Sequence, residues 1–136
     1  MARILALGGD GIGPEILDQG LRVAAFLNNA AGLDLEVEHD LLHGASYDAA
    51  GTFCSDRVLA KARAADAVLV GAVGGPEWDD IRMPGGAECQ DGLMYLRHHL
   101  QTYLGLRPAH WRAPLGACVP LRPEIAEGTE ILILRE

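Results

Sequence analysis

The sequence has 136 residues, is 49% hydrophobic and carries a formal charge of -8 at pH 7, which is enough apolar material for one domain with a core of its own. The acidic balance argues against nucleic acid or an anionic membrane surface as partner, since both need clustered Lys and Arg. No apolar run approaches the roughly 20 residues of a membrane span.

Cys54, Cys89 and Cys118 are odd in number, widely spaced and without a C-x-x-C pattern, so neither a disulfide framework nor a zinc site is expected. A reducing cytoplasm is the natural setting. Met1-Ala2-Arg3 leads into a short apolar run without the long hydrophobic region of a signal peptide.

Ile4-Leu5-Ala6-Leu7 predicts a buried strand over 3-7, turning at Gly8-Gly9-Asp10-Gly11-Ile12-Gly13 into a helix over 14-29 with Pro14 in its first turn. Leu35, Val37 and His39 alternate with acidic residues, the period of a strand over 35-39. Gly44 and Gly51 bracket a loop, Ser55 caps a helix over 55-64, and Ala67 to Val73 is a fully apolar strand. Alternating strands and helices imply an α/β fold, a mostly parallel sheet flanked by helices. Glycines 9, 11 and 13 miss the G-x-G-x-x-G pattern because Pro14 stands in the way, which disfavours an ordinary Rossmann site. Gly74-Gly75-Pro76 follows an apolar strand, so it lies where ligands of parallel sheets bind.

A helix over 92-104 follows, with Leu93, Leu96 and Leu100 at core spacing. Arg97 and Arg107 lie ten residues apart across this mostly apolar stretch. Each is either an ordinary solvated arginine or one half of a grip on a small polyanion, because the guanidinium fork donates two parallel hydrogen bonds to a carboxylate. His98 and His99 are adjacent and face different sides of a helix, and His39, His43 and His110 show no ligand spacing. Beyond Pro108 the chain reads as loop through Pro123, with a helical turn at 123-127 and a buried strand over 130-134 that joins the sheet. The proline-rich region from 108 to 123 is the expected boundary. Because the sequence stops on Arg135-Glu136 at the tip of a strand, the chain is expected to be the leading part of something longer.

Five motifs occur in order: Gly9-Asp10-Gly11-Ile12-Gly13-Pro14-Glu15, Gly71-Ala72-Val73-Gly74-Gly75-Pro76-Glu77-Trp78-Asp79, Gly92-Leu93-Met94-Tyr95-Leu96-Arg97, Leu106-Arg107-Pro108-Ala109 and Ile131-Leu132-Ile133-Leu134-Arg135-Glu136. Together they resemble the N-terminal part of the isocitrate/isopropylmalate family of β-decarboxylating dehydrogenases, over essentially the whole chain. The resemblance implies an incomplete copy of that fold, with 1-108 part of a first domain and 109-136 the start of a second. It implies NAD-dependent oxidative decarboxylation of a 3-substituted malate, 3-isopropylmalate of leucine biosynthesis ahead of tartrate, D-malate or homoisocitrate. A piece that only binds or assembles is the alternative.

By the same resemblance Arg97, Arg107 and Arg135 hold the substrate carboxylates and Leu93 and Met94 meet its aliphatic group. Gly75, Pro76, Glu77, Trp78, Asp79 and Glu88 flank the nicotinamide. The family's catalytic tyrosine and lysine, and the aspartates for Mg or Mn, fall after residue 136, so no catalytic or metal residue is expected within the chain. A homodimer is implied for the full-length protein. Gln90 stands where the family commonly has a glutamate, and the segment 80–91 is longer and richer in glycine than the family's usual loop.

Overall fold

Leu5, Ala6 and Leu7 lie in strand β1 (Ala2–Gly9) and are all but inaccessible to solvent. The computed structural model describes residues 1–135, which fall into two units, one from Met1 to Gln101 and one from Thr102 onward.

In the first unit β1 lies between β2 (Leu35–Asp40) and β3 (Ala67–Ala72) in a parallel sheet of order β2-β1-β3. Ala2 pairs with Leu35 and Ile4 with Ala67. Helix α1 (Gly13–Ala31) packs against β1 and β3 and ends at Gly32 in the left-handed conformation. Alternation along β1 sends Leu5 and Leu7 to the other face. There they join Leu42, Cys54 and Val58, Leu59 and Ala62 of helix α3 (Asp56–Ala64). Leu96 of helix α4 (Gly92–His99) completes that cluster. Each fully buried leucine contributes about 2 kcal/mol of transfer free energy.

Gly9, at φ 73°, brings the chain off β1 so close to β3 that a Cβ there would run into the Ala72 carbonyl. The Ser55 hydroxyl caps α3 as predicted, accepting from the Val58 N–H at 3.3 Å. One turn on, Lys61 Nζ lies 2.6 Å from Glu38 and 2.8 Å from Asp40, and Arg57 lies 2.6 Å from Asp40. Burial alone would raise the Asp40 carboxyl. The Lys61 hydrogen bond, the Leu41 N–H and the charges of Lys61 and Arg57 outweigh it and hold the group below its ordinary value.

The second unit is a two-stranded antiparallel ribbon, β4 (Gly105–His110) with β5 (Glu130–Arg135). Between the strands come a 3-10 stretch, Ala113–Cys118, and the short helix α5 (Pro123–Ala126).

Three expectations need correction. The strand expected at 130-134 forms, but it pairs antiparallel with β4 and is not part of the parallel sheet. Nor is it buried as expected, since Ile131, Leu132, Ile133 and Leu134 are all exposed on a ribbon of two strands, and an apolar run by itself specifies no pairing partner. The helix expected over 92-104 stops at His99; Gln101 adopts φ 58°, and Gly105 to His110 are strand. Residues read as loop after Gly44 form helix α2 (Gly44–Ala50), with Gly51 as its left-handed cap.

Candidate functional site

The loop after β3 leaves the carboxyl edge of the parallel sheet at Gly74, and one carboxylate sets its course. Asp10, 5% exposed, accepts from the Gly74 N–H at 2.9 Å, the Gly44 N–H at 3.2 Å and the Ala45 N–H at 2.8 Å. It thereby ties the end of β1 to the loop and satisfies two of the free donors at the start of α2. Gly75 to Asp79 then fold back, with the Trp78 N–H donating to the Gly75 carbonyl at 3.1 Å. The Trp78 indole covers Gly44 so closely that a Cβ on Gly44 would strike the ring, and its Nε1 donates to Asp48 at 3.1 Å. Pro76, Glu77 and Asp79 remain exposed.

Glu88 sits further on, in the 3-10 turn Ala87–Gln90, with Cys89 Sγ 3.7 Å from its Oε1. The Gln90 side chain donates to the Met83 carbonyl at 2.8 Å and to the Gly86 carbonyl at 3.3 Å, and accepts from the Met83 N–H at 3.0 Å.

Asp91 caps α4, accepting from the N–H groups of Leu93 (2.7 Å) and Met94 (2.9 Å). Helical spacing places Met94 and Arg97 three residues apart on one face. Met94 is 49% exposed, Arg97 is half-buried, and Leu93 packs partly against the core. Tyr95 stays protonated at neutral pH: burial first, then the charges of Asp56, Cys54 and Cys89, push its phenol above its ordinary value.

In the second unit the ribbon register decides where the other two arginines go. Arg107 pairs with Ile133 and Gly105 with Arg135, so Arg107 and Arg135 share a face. They are diagonal neighbours, a relation in which residues sit about 7–8 Å apart. Both are exposed. The geometry thus brings together Arg107 with Arg135, Met94 with Arg97, and Gly75 to Asp79 over α2, while Glu88 belongs to a separate turn.

Sequence reasoning missed Asp10 and His43 as organising residues. Asp10 had a signal, an acidic side chain in a glycine turn at the end of a buried strand. His43 had none, because the contacts of its ring that join Trp78 and Gly92 come from segments more than thirty residues away. Among the described residues no three His, Cys, Asp or Glu side chains gather as metal ligands. Among them too, no helix is long and apolar enough to cross a membrane.

A parallel sheet with helices on both faces, its loops and helix starts gathered beyond the strand ends, defines an α/β protein of the helix-flanked parallel class. The chain belongs to the isocitrate/isopropylmalate dehydrogenase family, whose model matches residues 3–136.

It is 48% identical to the 3-isopropylmalate dehydrogenase of Brucella melitensis over 134 residues, 98% of this chain and 36% of that protein. For the 3-isopropylmalate dehydrogenase of Pseudomonas fluorescens the figures are 46%, 98% and 37%. The chain thus spans about 36% of the length of such relatives. Among solved structures, an apo β-decarboxylating dehydrogenase from Thermococcus kodakarensis superposes with a TM-score of 0.69 at 26% identity, covering 100% of this chain and 34% of that one. An isocitrate dehydrogenase from Methylococcus capsulatus gives 0.63 at 28%, covering 81% and 29%. These relatives are dehydrogenases, and the α/β class expected from the strand and helix pattern is the class observed.

Proposed function

We propose that this chain is part of an NAD-dependent dehydrogenase that oxidatively decarboxylates a 3-substituted malate, with 3-isopropylmalate as substrate. The observation that carries the reading is the β4–β5 register, which puts Arg107 and Arg135 on one face in a chain of this family. The names of the relatives support the choice of acid.

In this reading the three arginines supply binding and orientation. Arg107 and Arg135 form a paired cationic surface, and each fork takes a carboxylate in two parallel hydrogen bonds. Arg97 of α4 serves the same two carboxylates in this reading. Met94, exposed beside it, offers an apolar contact to the branched alkyl group, and Leu93 backs it from the core. Fixing a dianion at several points aligns its C–H bond for transfer, so that the entropy of orientation is lost on binding and not at the barrier.

NAD, when bound, accepts the hydride from the hydroxyl-bearing carbon. Gly75, Pro76, Glu77, Trp78 and Asp79 flank the nicotinamide in this reading, with Glu88 from the following turn. Their fit rests on the position of the loop at the carboxyl edge of the sheet. The decarboxylation step implies Mg or Mn, to which the described residues contribute no cluster of ligands. A cytoplasmic homodimer and a division near residue 108 belong to the same proposal.

The test is turnover of the enzyme carrying this sequence, with NAD and Mg or Mn, against 3-isopropylmalate, tartrate, D-malate and homoisocitrate. The highest kcat/KM on 3-isopropylmalate is expected. Good turnover of another acid, with none on 3-isopropylmalate, overturns the substrate assignment; no NAD-linked turnover of any of them overturns the class.

A further inference from the structure

His43 is a buried histidine, 7% exposed, in a backbone conformation that glycine adopts freely and other residues do not: φ 57°, ψ -126°. Its position is fixed from every side. The backbone N–H donates to the Phe53 carbonyl at 2.7 Å, and the carbonyl accepts from the Tyr47 N–H at 2.8 Å. The ring stacks on Phe53 at 4.5 Å and 6° between planes, and meets Trp78 edge-on at 6.4 Å. Nδ1 then accepts from the Gly92 N–H at 3.2 Å, which assigns the proton of the neutral ring to Nε2. Gly92 is the first residue of α4, where backbone donors lack partners within the helix.

We infer that His43 is a positioning residue: one imidazole joins the Trp78 loop to the start of α4 and so fixes where Leu93 and Met94 stand relative to Gly75–Asp79. The role rests on the functional reading above, in which those two segments meet substrate and cofactor. A residue needed only for its backbone here would be glycine. The chain instead accepts an unfavourable φ and obtains an aromatic wedge and a hydrogen-bond acceptor in one side chain. Asp10, whose carboxylate holds the next two N–H groups at Gly44 and Ala45 and that of Gly74, keeps the same turn in register with the loop.

The test uses His43→Gly, which relieves the backbone but removes the acceptor, and His43→Asn, which keeps an acceptor oxygen near the position of Nδ1. By NMR on the 136-residue chain, amide exchange at Gly92 is expected to rise about fivefold in His43→Gly, the loss of one net hydrogen bond, and to return toward wild type in His43→Asn. Unchanged exchange in His43→Gly, or no recovery in His43→Asn, overturns the inference. Ring nitrogen shifts of the wild-type chain give a reading without any variant: Nδ1 is expected bare and Nε2 protonated, and the opposite tautomer overturns it.

In the enzyme, KM for 3-isopropylmalate is expected to rise about fivefold in His43→Gly and to recover in His43→Asn. Exchange that responds while KM does not would leave His43 a structural contact and overturn the positioning role. Absence of turnover in wild type would instead fault the functional reading, with exchange and tautomer still deciding whether His43 holds Gly92.

Discussion

Gln90 and Met83 exchange two hydrogen bonds, the side-chain amide donating to the Met83 carbonyl at 2.8 Å and accepting from its N–H at 3.0 Å. A third, to the Gly86 carbonyl at 3.3 Å, folds the glycine-rich segment between them into a closed loop. A carboxylate can accept from Met83 but cannot donate. Gln90→Glu should therefore leave two carbonyls without their donor and cost about 1–2 kcal/mol. Chemical denaturation and faster amide exchange at Met83 and Cys89 would register the loss; unchanged exchange would show that the pair does not hold the loop.

Asp10 is the next residue to change. Its carboxylate serves three backbone donors from two segments, so Asp10→Ala removes the acceptor of the buried Gly44 N–H and of the partly buried N–H groups at Ala45 and Gly74 together. A loss of about 3 kcal/mol or more is expected, since each charge-assisted bond is worth roughly 1.5–3 kcal/mol. Asn keeps one acceptor oxygen and should fall between. A midpoint shift in urea for Asp10→Ala no larger than that of an exposed aspartate such as Asp18 would contradict this account.

For the arginines, Arg→Lys separates a fork from a point charge. Arg97→Lys, Arg107→Lys and Arg135→Lys should each weaken substrate binding about ten- to hundredfold, while at the exposed Arg107 and Arg135 stability should change by about half a kcal/mol or less. Steady-state kinetics of the enzyme carrying this sequence is the measurement. Near wild-type constants for all three would remove the anion-site reading.

Acid should destabilise the first unit partly through Asp40. Its folded-state value lies below the ordinary 3.8, so its contribution is fully present above that pH and is lost as pH falls through the folded value. Asp40→Asn should flatten the acid limb of a stability profile. Cys54 works at the other end: burial first, then Asp56 and Asp40, push its thiol up to about 11. The folded state therefore holds that proton where the unfolded chain, at its ordinary 9.0, has released it, and stability falls between pH 9 and 11. At pH 8 an alkylating reagent should label exposed Cys118 well before buried Cys54; equal rates would contradict the burial.

The parts of the fold legible in the sequence are those whose signals are local. The apolar run at Ile4 to Leu7, Pro14 opening α1, Ser55 capping α3 and the run at Ala67 to Ala72 each encode an element within a few residues. Strand β4 was not legible, because Pro108 lies in its middle. The two-stranded ribbon accommodates it, since each strand has an open edge where a missing N–H costs little. Helix α2 is flanked by glycines and has two of its first donors satisfied by Asp10, more than thirty residues away. The site divides in the same way. Arg97 and Arg107 could be singled out from residue type and spacing, but that Arg107 shares a face with Arg135 depends on a pairing between distant segments.

That pairing also behaves as a phase. Because strand side chains alternate, moving β5 by one residue against β4 would turn Arg135 to the opposite face from Arg107, and moving it by two would return it. Length changes between Trp111 and Thr129 fall outside the paired residues and leave that register as it is. An insertion inside either strand has a parity instead: an odd one splits the two charges, and an even one only slides them along the ribbon.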